Sequence, residues 1–355
     1  MCASPAEVRG VSGAVAIGAG ALHACALLGR GEVACWGYNG RGQLGNGAFT
    51  VSTEPTPAAI VSGLSGAIAI AAGSDHTCAI VAGGEVRCWG WNASGQLGDG
   101  TYTNRPVPVP VSGLSGATAI AAGRNHTCAV VSGGAVRCWG NNYVAGPLGV
   151  QPGAQGGAIA HPVPVTVGGG LTGATGVAIR GGHTCAIVAG GEVRCWGWGF
   201  EGQLGKGTSP PLAGPNPATA QGLSGAVALA AGEDHTCAVL SDGEARCWGQ
   251  NTFGKVGDGT TTNRFAPVPV SGLSGVIAIG AGEDHSCAIV AGGEVRCWGW
   301  NASGQLGDFT TVDRATPVPV PGISATAIAA GWRNTCAIVS DGTVRCWGLR
   351  TTSIR

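Results

Sequence analysis

Histidine stands two residues before a cysteine at six places in this chain, His23, His76, His126, His183, His235 and His285, and Asn334 takes that place a seventh time. The cysteines that follow are Cys25, Cys78, Cys128, Cys185, Cys237, Cys287 and Cys336. Ten residues after each comes a second one at the head of a Cys-Trp-Gly triplet: Cys35, Cys88, Cys138, Cys195, Cys247, Cys297 and Cys346. Three chemistries are open to such a set. A His and a Cys two apart share one strand face and could act as a nucleophile pair. A ring of imidazoles could hold metal, and the cysteines could pair. The first two require up to seven copies of one reactive centre, whereas a residue repeated at one architectural position holds a turn together. There is no Cys-x-x-Cys zinc knuckle, no phosphate loop and no Ser/His/Asp set that stands out from the repeat. The expectation is a protein that is not an enzyme and has no metal or cofactor.

The elements that place these residues follow from the repeat. Trp36, Trp89, Trp139, Trp196, Trp248, Trp298 and Trp347 are separated by 53, 50, 57, 52, 50 and 49 residues, a unit of the length of a propeller blade. Cys78–Asp99 and Cys287–Asp308 are the same 22-residue string, the mark of internal duplication. Each unit reads as four strands: a small apolar one (Ala67–Gly73, AIAIAAG), then His76–Val81, then Glu85–Gly90, then a Pro-rich one (Arg105–Val111) confined to a sheet edge because Pro cannot donate to a ladder. A Gly six residues after each first Cys, such as Gly84, suits the left-handed position of a three-residue hairpin loop. No stretch has helical periodicity. The expected fold is an all-β, seven-bladed β-propeller of four-stranded blades in a single domain, 1–355. The blades span approximately 14–62, 67–112, 117–168, 176–220, 226–271, 276–321 and 325–349. The last is completed by 4–11 (Ser4–Gly13 resembles the segment before each inner strand), so the N-terminus supplies its outer strand and closes the ring.

In the hairpin register set by Gly84, Val81 faces Glu85 and Cys78 therefore faces Cys88, at a non-hydrogen-bonded position where backbones approach closely enough for a disulfide. The same holds in the other six repeats. Seven cross-strand disulfides, each worth about 3 kcal/mol in the loop-entropy account, are one reading, and fourteen buried thiols are the other. Disulfides place the protein outside a reducing cytoplasm, secreted or at a cell surface, although no signal peptide is visible in Met1–Gly10. Cys2 is left over from the pairing and is either unpaired or linked to a partner.

Composition narrows the function classes. Lys+Arg and Asp+Glu number 19 each, so the basic excess that nucleic-acid binding draws on is missing. With 44% hydrophobic residues and no net charge the chain is not disordered. Uncharged stretches such as Pro106–Gly123 are broken by Pro and Gly, which excludes a membrane-spanning helix.

The succession of a Gly-x-x-His turn, a hairpin, Trp-Gly and then Asn-x-x-Gly-Gln-Leu-Gly, as in Asn92–Gly98 and Asn301–Gly307, resembles the regulator of chromosome condensation repeat over essentially the whole chain. That resemblance implies the propeller. Function differs across the family, which includes a nucleotide exchange factor for a small GTPase, a plant UV-B photoreceptor, a β-lactamase-inhibiting propeller and modules of ubiquitin ligases. Gly331–Thr335 (GWRNT) is similar to a motif of the photoreceptor. It occurs once here, whereas that chemistry uses several coupled Trp. The seven triplet Trp are expected to anchor blade to blade, and Glu85/Arg87-type pairs (with Arg137, Arg194, Arg246, Arg296 and Arg345 in the set) to form salt links between blades. The sequons Asn92-Ala-Ser and Asn125-His-Thr are weak glycosylation signals.

Alternating strand direction puts the turn between strands one and two on the same face as the connection after Trp-Gly. The opposite face carries Ser-Gly-Leu-Ser-Gly turns that are nearly identical around the ring. The first face varies. Its inner pairs read Ala21-Leu22, Ser74-Asp75, Arg124-Asn125, Glu233-Asp234, Glu283-Asp284 and Trp332-Arg333, while blade four reads as two residues shorter with Arg180-Gly181-Gly182. After Trp-Gly stand Tyr38, Trp91, Asn141, Trp198, Gln250, Trp300 and Leu349. Long excursions, Asn142–His161, Lys206–Pro217 and Ala48–Pro57, leave the same face. The expected binding residues are Asp75, Trp91, Arg124, Asn125, Tyr143, Trp198, Glu233, Asp234, Glu283, Asp284, Trp300, Trp332 and Arg333, since exposed aromatics beside charges make protein hot spots. They form an acidic arc on blades five and six opposite a basic sector at Arg124 and Arg333. The reading is an extracytoplasmic scaffold that binds a protein or a surface glycan. The alternatives are a self-assembling surface or filament component and, with reduced cysteines, an intracellular small-GTPase regulator.

Overall fold

The computed structural model describes residues 2–50, 56–143, 145–152, 159–207 and 213–349, and apart from one short 3-10 turn at Thr252–Gly254 their regular elements are strands. No helix among the described residues is long and apolar enough to cross a membrane. Blade two shows the plan. Ala67–Ala72, His76–Val81, Val86–Gly90 and Arg105–Pro110 are hydrogen-bonded in chain order as an antiparallel sheet. Four more sheets repeat that order. The last two blades are joined in one seven-stranded sheet, because Arg314–Ala330 runs on from the outer edge of blade six into the inner strand of blade seven. Inner strands touch in succession and Ala14–Ala19 touches Arg314–Ala330, so the ring is closed. Cys2–Glu7 pairs with Val344–Gly348, Ala6 opposite Cys346, and supplies the outer strand of blade seven as expected. The fold is a seven-bladed all-β propeller.

Small inner strands follow from crowding about the axis, where adjacent backbones leave room for little beyond Ala, Gly and a few β-branched residues. The hairpin Gly has a similar cause. Gly84 has φ +79°, and a Cβ there would lie 2.7 Å from Gly116 Cα in the segment entering the next blade. The hairpin turns as expected, with Val81 N–H donating to Glu85 O and Gly84 N–H to Val81 O.

Each first Cys lies opposite its second, and all seven pairs are bridged with Cα–Cα separations of 4.0–4.1 Å. The bridges are buried in the apolar layers between blades. Cys78 and Cys88, for example, pack with Ile80, Val86, Leu97 and Val111 of their own blade and with Ala129 and Trp139 of the middle strands of the next. Every bridge closes a sequence separation of 10 within one blade, and none joins two blades.

The repeated histidines hold blades to one another rather than closing their own turns. Between blades two and three, His76 Nε2 lies 2.8 Å from Thr127 Oγ1, Thr127 donates to Gln96 O at 2.9 Å, and Trp139 Nε1 donates to the same carbonyl at 2.9 Å. A hydroxyl has one proton. Because Thr127 gives it to Gln96 O, the imidazole must donate, which fixes the neutral tautomer protonated at Nε2. Six junctions have this relay, with His–hydroxyl distances of 2.8–3.0 Å and Ser286 replacing Thr once. The seventh, between blades seven and one, lacks it. Asn334 replaces His and Ala24 replaces Thr, and neither Asn334 side-chain atom nor Trp36 Nε1 has a partner among the described residues. That seam is held by an apolar layer containing Val8, Val11, Trp36, Ile338 and Val344, and by the N-terminal strand.

The salt links expected between blades run along single strands instead. Arg87–Glu85, Arg194–Glu192, Arg246–Glu244 and Arg296–Glu294 are 2.9–3.1 Å apart. Residues two apart on a strand point to the same side, and the long Arg side chain folds back on its own neighbour. At 29–45% side-chain exposure such pairs contribute little to stability.

Two outcomes are expected. Alkylation under denaturing conditions without reductant labels no repeat cysteine, and the intact mass falls short of the fully reduced value by about fourteen hydrogens. Fourteen labelled thiols would refute the bridges. The second concerns acid. Burial lowers the pKa of His23 and His183 to about 4 and of His76, His126 and His285 to about 3, and holds that of His235 well below its ordinary value. Below about 6.5 the unfolded chain takes up protons that the folded ring refuses, so stability falls with acidity by about 1.4 kcal/mol per pH unit for each histidine. Asp75, Asp234 and Glu283, raised by burial, act in the opposite sense but are fewer. The thermal midpoint should drop steeply between pH 6.5 and 4, and a flat profile would contradict the buried neutral ring.

Candidate functional site

The inner turns meet at the mouth of the central channel. Asp75, Arg124, Glu233, Glu283 and Trp332 converge there around a depression of about 210 Å³. Sequence reasoning missed Arg180, which joins them. From blade four its Nη1 donates to Ala330 O of blade seven at 3.0 Å, so one side chain reaches across the ring. Burial lowers its pKa, and Glu233 and Glu283 oppose that shift. The signal was present in the chain. The other inner strands end on Gly, as at Gly73 and Gly232, and blade four ends on Arg180. Its turn is not two residues shorter, as the sequence reading had it. Ala174 to His183 covers the same length and register as Ala67 to His76, and blade four differs in composition, with Gly181-Gly182 where blade two has Ser74-Asp75.

A second cavity, of about 300 Å³, opens between blades three, four and five, lined by Arg124, Tyr143, Gly182, Trp198, Glu233 and Asp234. A Cβ at position 181 would lie 2.0 Å from Glu233 O, so only Gly lets blade five approach. Trp198 is 40% exposed and meets Phe200 edge-on at 4.7 Å between ring centres. Asn125 Nδ2 donates to Tyr143 Oη. Arg124 Nη1 lies 3.4 Å from Glu233 Oε1. Asp234 accepts a bond from Gln203 Nε2 at 3.1 Å. Burial pushes its pKa up to about 6; Lys255 counters this, while Glu233, Glu201 and Asp284 add to it.

Across the face, Arg333 lies over Trp300 at 4.8 Å and over Trp332 at 4.7 Å, and the Phe253 ring is 6.1 Å from that of Trp300. Arg333 is also 3.8 Å from Glu283. The acidic arc and the basic sector are therefore linked by Arg124–Glu233 and Arg333–Glu283 rather than standing apart. Trp91 is covered by Arg41 at 5.8 Å. Phe253 and Phe309 went unnoticed in sequence. Both have left-handed backbones, φ 68° and 62°, and are exposed. Phe309 follows Asp308 where Gly100 and Gly259 follow Asp99 and Asp258.

Asp284 is engaged inside the ring. The Gln of each Gly-Gln-Leu-Gly turn faces the inner pair of the next blade: Gln43 Nε2 donates to Asp75 and Gln203 Nε2 to Asp234. Blade five has the fully buried Lys255 at this place, with Nζ 2.5 Å from Asp284 Oδ1 and 2.6 Å from Gln250 Oε1. Where the next blade offers Asn125 or Arg333, Gln96 Nε2 and Gln305 Nε2 have no partner among the described residues. Pro147 faces Gly182, and there both members of the pair are gone. The Asn of the same turn is a scaffold. Asn92 is fully buried, its Oδ1 accepting from Leu97 N–H and its Nδ2 donating to Asp99 and Thr101, so that sequon offers no accessible amide. Of the three excursions, residues 51–55, 144, 153–158 and 208–212 lie outside the described residues, as does the side chain of Cys2. Replacing Lys255 with Gln, the residue four other blades use, should leave the thermal midpoint nearly unchanged. Lys255→Met strands the Asp284 carboxylate and should cost roughly 2 kcal/mol, read in urea unfolding. Equal costs for the two variants would show that the charge pair is not what matters.

The RCC1-like domain family matches residues 111–353, and the regulator of chromosome condensation (RCC1) repeat matches 30–80 and 83–130. The ultraviolet-B receptor UVR8 of Arabidopsis thaliana is 32% identical over 254 residues, 72% of this chain and 45% of the receptor, so the chain spans about half of that relative. Among solved structures, human WBSCR16 superposes with a TM-score of 0.80 at 21% identity, covering 97% of this chain and 89% of that one. Saccharomyces cerevisiae Prp20p does so with a TM-score of 0.74 at 19% identity, covering 94% and 81%. Seven Cys-Trp-Gly repeats, with the Gly-x-x-His turn and the Asn-anchored turn each recurring in five blades, folded into one closed ring and matched over most of their length, place the chain in the RCC1 repeat family.

Proposed function

We propose that this propeller is a non-enzymatic binding scaffold that works outside the cytoplasm and recognises a partner protein through the face carrying its inner turns and the positions after Trp-Gly. One observation carries the reading: departures from the repeat concentrate on that face. Arg180, Lys255, Phe253 and the Trp300–Arg333–Trp332 stack all lie there, while the opposite face repeats one small uncharged turn. A scaffold under only structural constraint has no use for a chemically varied rim, and aromatic and Arg side chains are what protein hot spots employ. Relatives support the class. Prp20p of Saccharomyces cerevisiae binds Gsp1p and histones. Seven buried cystine bridges support an oxidising compartment.

A second reading, self-association, has its own observation. Val15, Ile68, Val227 and Ile277 begin the inner strands on the opposite face and are 59–61% exposed, an apolar ring at the other mouth of the channel. The two separate in one experiment: capture of proteins from the extracellular fraction of the native organism by wild type, by Trp300→Ala with Asp75→Lys, and by Ile68→Thr with Val227→Thr. Thr is the residue that blades three, four and seven use at that place. The partner reading expects at least a tenfold loss of one captured protein with the first variant only. Full retention there, with loss of self-association in the second, would overturn it in favour of assembly.

A further inference from the structure

We propose that the cavity between blades three, four and five receives a basic side chain, Lys or Arg, presented by the partner protein; this rests on the protein-binding reading above. Three departures from the repeat meet at this place. Gly182 stands where the other inner pairs end in Leu, Asp, Asn or Arg, Pro147 where Gln or Lys would reach toward it, and Tyr143 follows an Asn-anchored strand extended to Asn142. Together they empty about 300 Å³ between blades that elsewhere fill the same space with a side-chain pair. That volume is at the lower end of small-molecule sites. It suits an aliphatic stem with a charged head.

The walls select the sign of that charge. Trp198 offers a partly exposed indole and Tyr143 a phenol ring, and aromatic faces attract cations. Also lining it, Asp234 accepts a bond from Gln203 and stands near Glu233, Glu201 and Asp284. Lys255 is the nearby cation, but its ammonium is committed to Asp284 and Gln250. Arg124 at the rim pairs with Glu233. An incoming ammonium or guanidinium therefore meets a carboxylate whose nearby cation is bonded elsewhere, beside Trp198 and Tyr143, whereas an anion meets repulsion. Burial first, and then the neighbouring carboxylates, raise the pKa of Asp234 against the opposing Lys255. Two other depressions on this face also pair an aromatic residue with a carboxylate, but at Asp75 the nearby Arg41 and Arg124 supply positive charge, and at Phe253 there is a single aromatic residue and Asp313 accepts from Asn301 N–H.

The test uses the whole chain and small probes, so it does not depend on finding the partner. N-acetyl-lysine methylamide and N-acetyl-arginine methylamide are titrated against the protein by NMR, with the norleucine and citrulline analogues as neutral isosteres and n-butylammonium as the bare amine. Saturable binding in roughly the millimolar range is expected for the two cationic amides, at least tenfold weaker binding for the isosteres, and a further tenfold loss in Asp234→Asn and in Trp198→Ala. Asp341→Asn is the control, because that carboxylate lies in an exposed hairpin of the opposite face and accepts only from Thr343 among the described residues; it should change nothing. Thermal midpoints establish that each variant is folded, and Trp198→Phe, which keeps an aromatic wall, should retain most of the binding. Isosteres that bind equally, an Asp341 variant as weak as the Asp234 variant, or a site that takes butylammonium and refuses the blocked amino acids would each overturn the proposal. Failure here leaves the outcome for Trp300 and Asp75 in partner capture standing, so the two readings fail separately.

Discussion

One backbone carbonyl at each of six blade junctions organises the rest of this ring. It belongs to the Gln, Lys or Pro of the Asn-anchored turn, and it receives the hydroxyl proton of the next blade and, at five junctions, the indole N–H as well. The hydroxyl in turn takes the imidazole proton from the previous blade. For that carbonyl to be in place, the turn must be rigid, which Asn92 and its equivalents ensure from within. The large indole must be buried, which forces the opposing strands to be small. A closed, buried junction thus explains why His, Thr, Trp and Asn recur together even where, as at Asp75-His76 and Trp91-Asn92, they directly follow variable positions. Because the imidazole has to stay neutral to keep its single donor and its place in the layer, the geometry also sets the acid limit of the fold.

The fold was legible in the sequence because a fifty-residue period, a Gly at a fixed distance from Cys and a Pro-rich edge strand each have only one structural use. Disulfide partners could be read for the same reason: a three-residue loop with a left-handed Gly determines which residues oppose one another. What could not be read was where long side chains would go between elements. Period and register say that His76 lies on one strand face but not that Thr127 of another blade is its partner. They say that Arg87 and Glu85 share a side but not that the pair folds back along its own strand. Blade four was misaligned by composition, since Arg180 in place of Gly disguised a turn of ordinary length. Asp284 was rightly placed on the variable face, yet its partner Lys255 is buried and lay outside the set of residues singled out.

Exceptions to the repeat divide into two kinds. Some are compensated. Lys255 replaces Gln and finds Asp284; Pro147 loses the Gln amide and meets Gly182, which has nothing to receive it. Others are left open. Gln96 and Gln305 retain amides without acceptors, and Phe253 and Phe309 hold backbone angles that favour Gly, at a typical cost of order 1 kcal/mol each. Local rules broken without local repair are where a repeat protein departs from pure architecture. Here those sites lie on the face that also holds the aromatic–Arg stack, the channel-spanning Arg180 and the cavity at Trp198.

The disulfides act at a different scale from the ring. Each ties two neighbouring strands of one blade, so among the described residues no disulfide crosses a junction or closes the circle. The oxidised chain, when it loses its tertiary structure, is therefore not a featureless coil but a string of seven cross-linked hairpins with loose connections. Much of the local ordering entropy is absent from the folding reaction, and the search that remains is the side-by-side docking of preformed units. Tension applied to the two ends would meet its first resistance at the one junction without a polar relay, where the N-terminal strand lies along the edge of the last blade and can be drawn away while every hairpin stays shut.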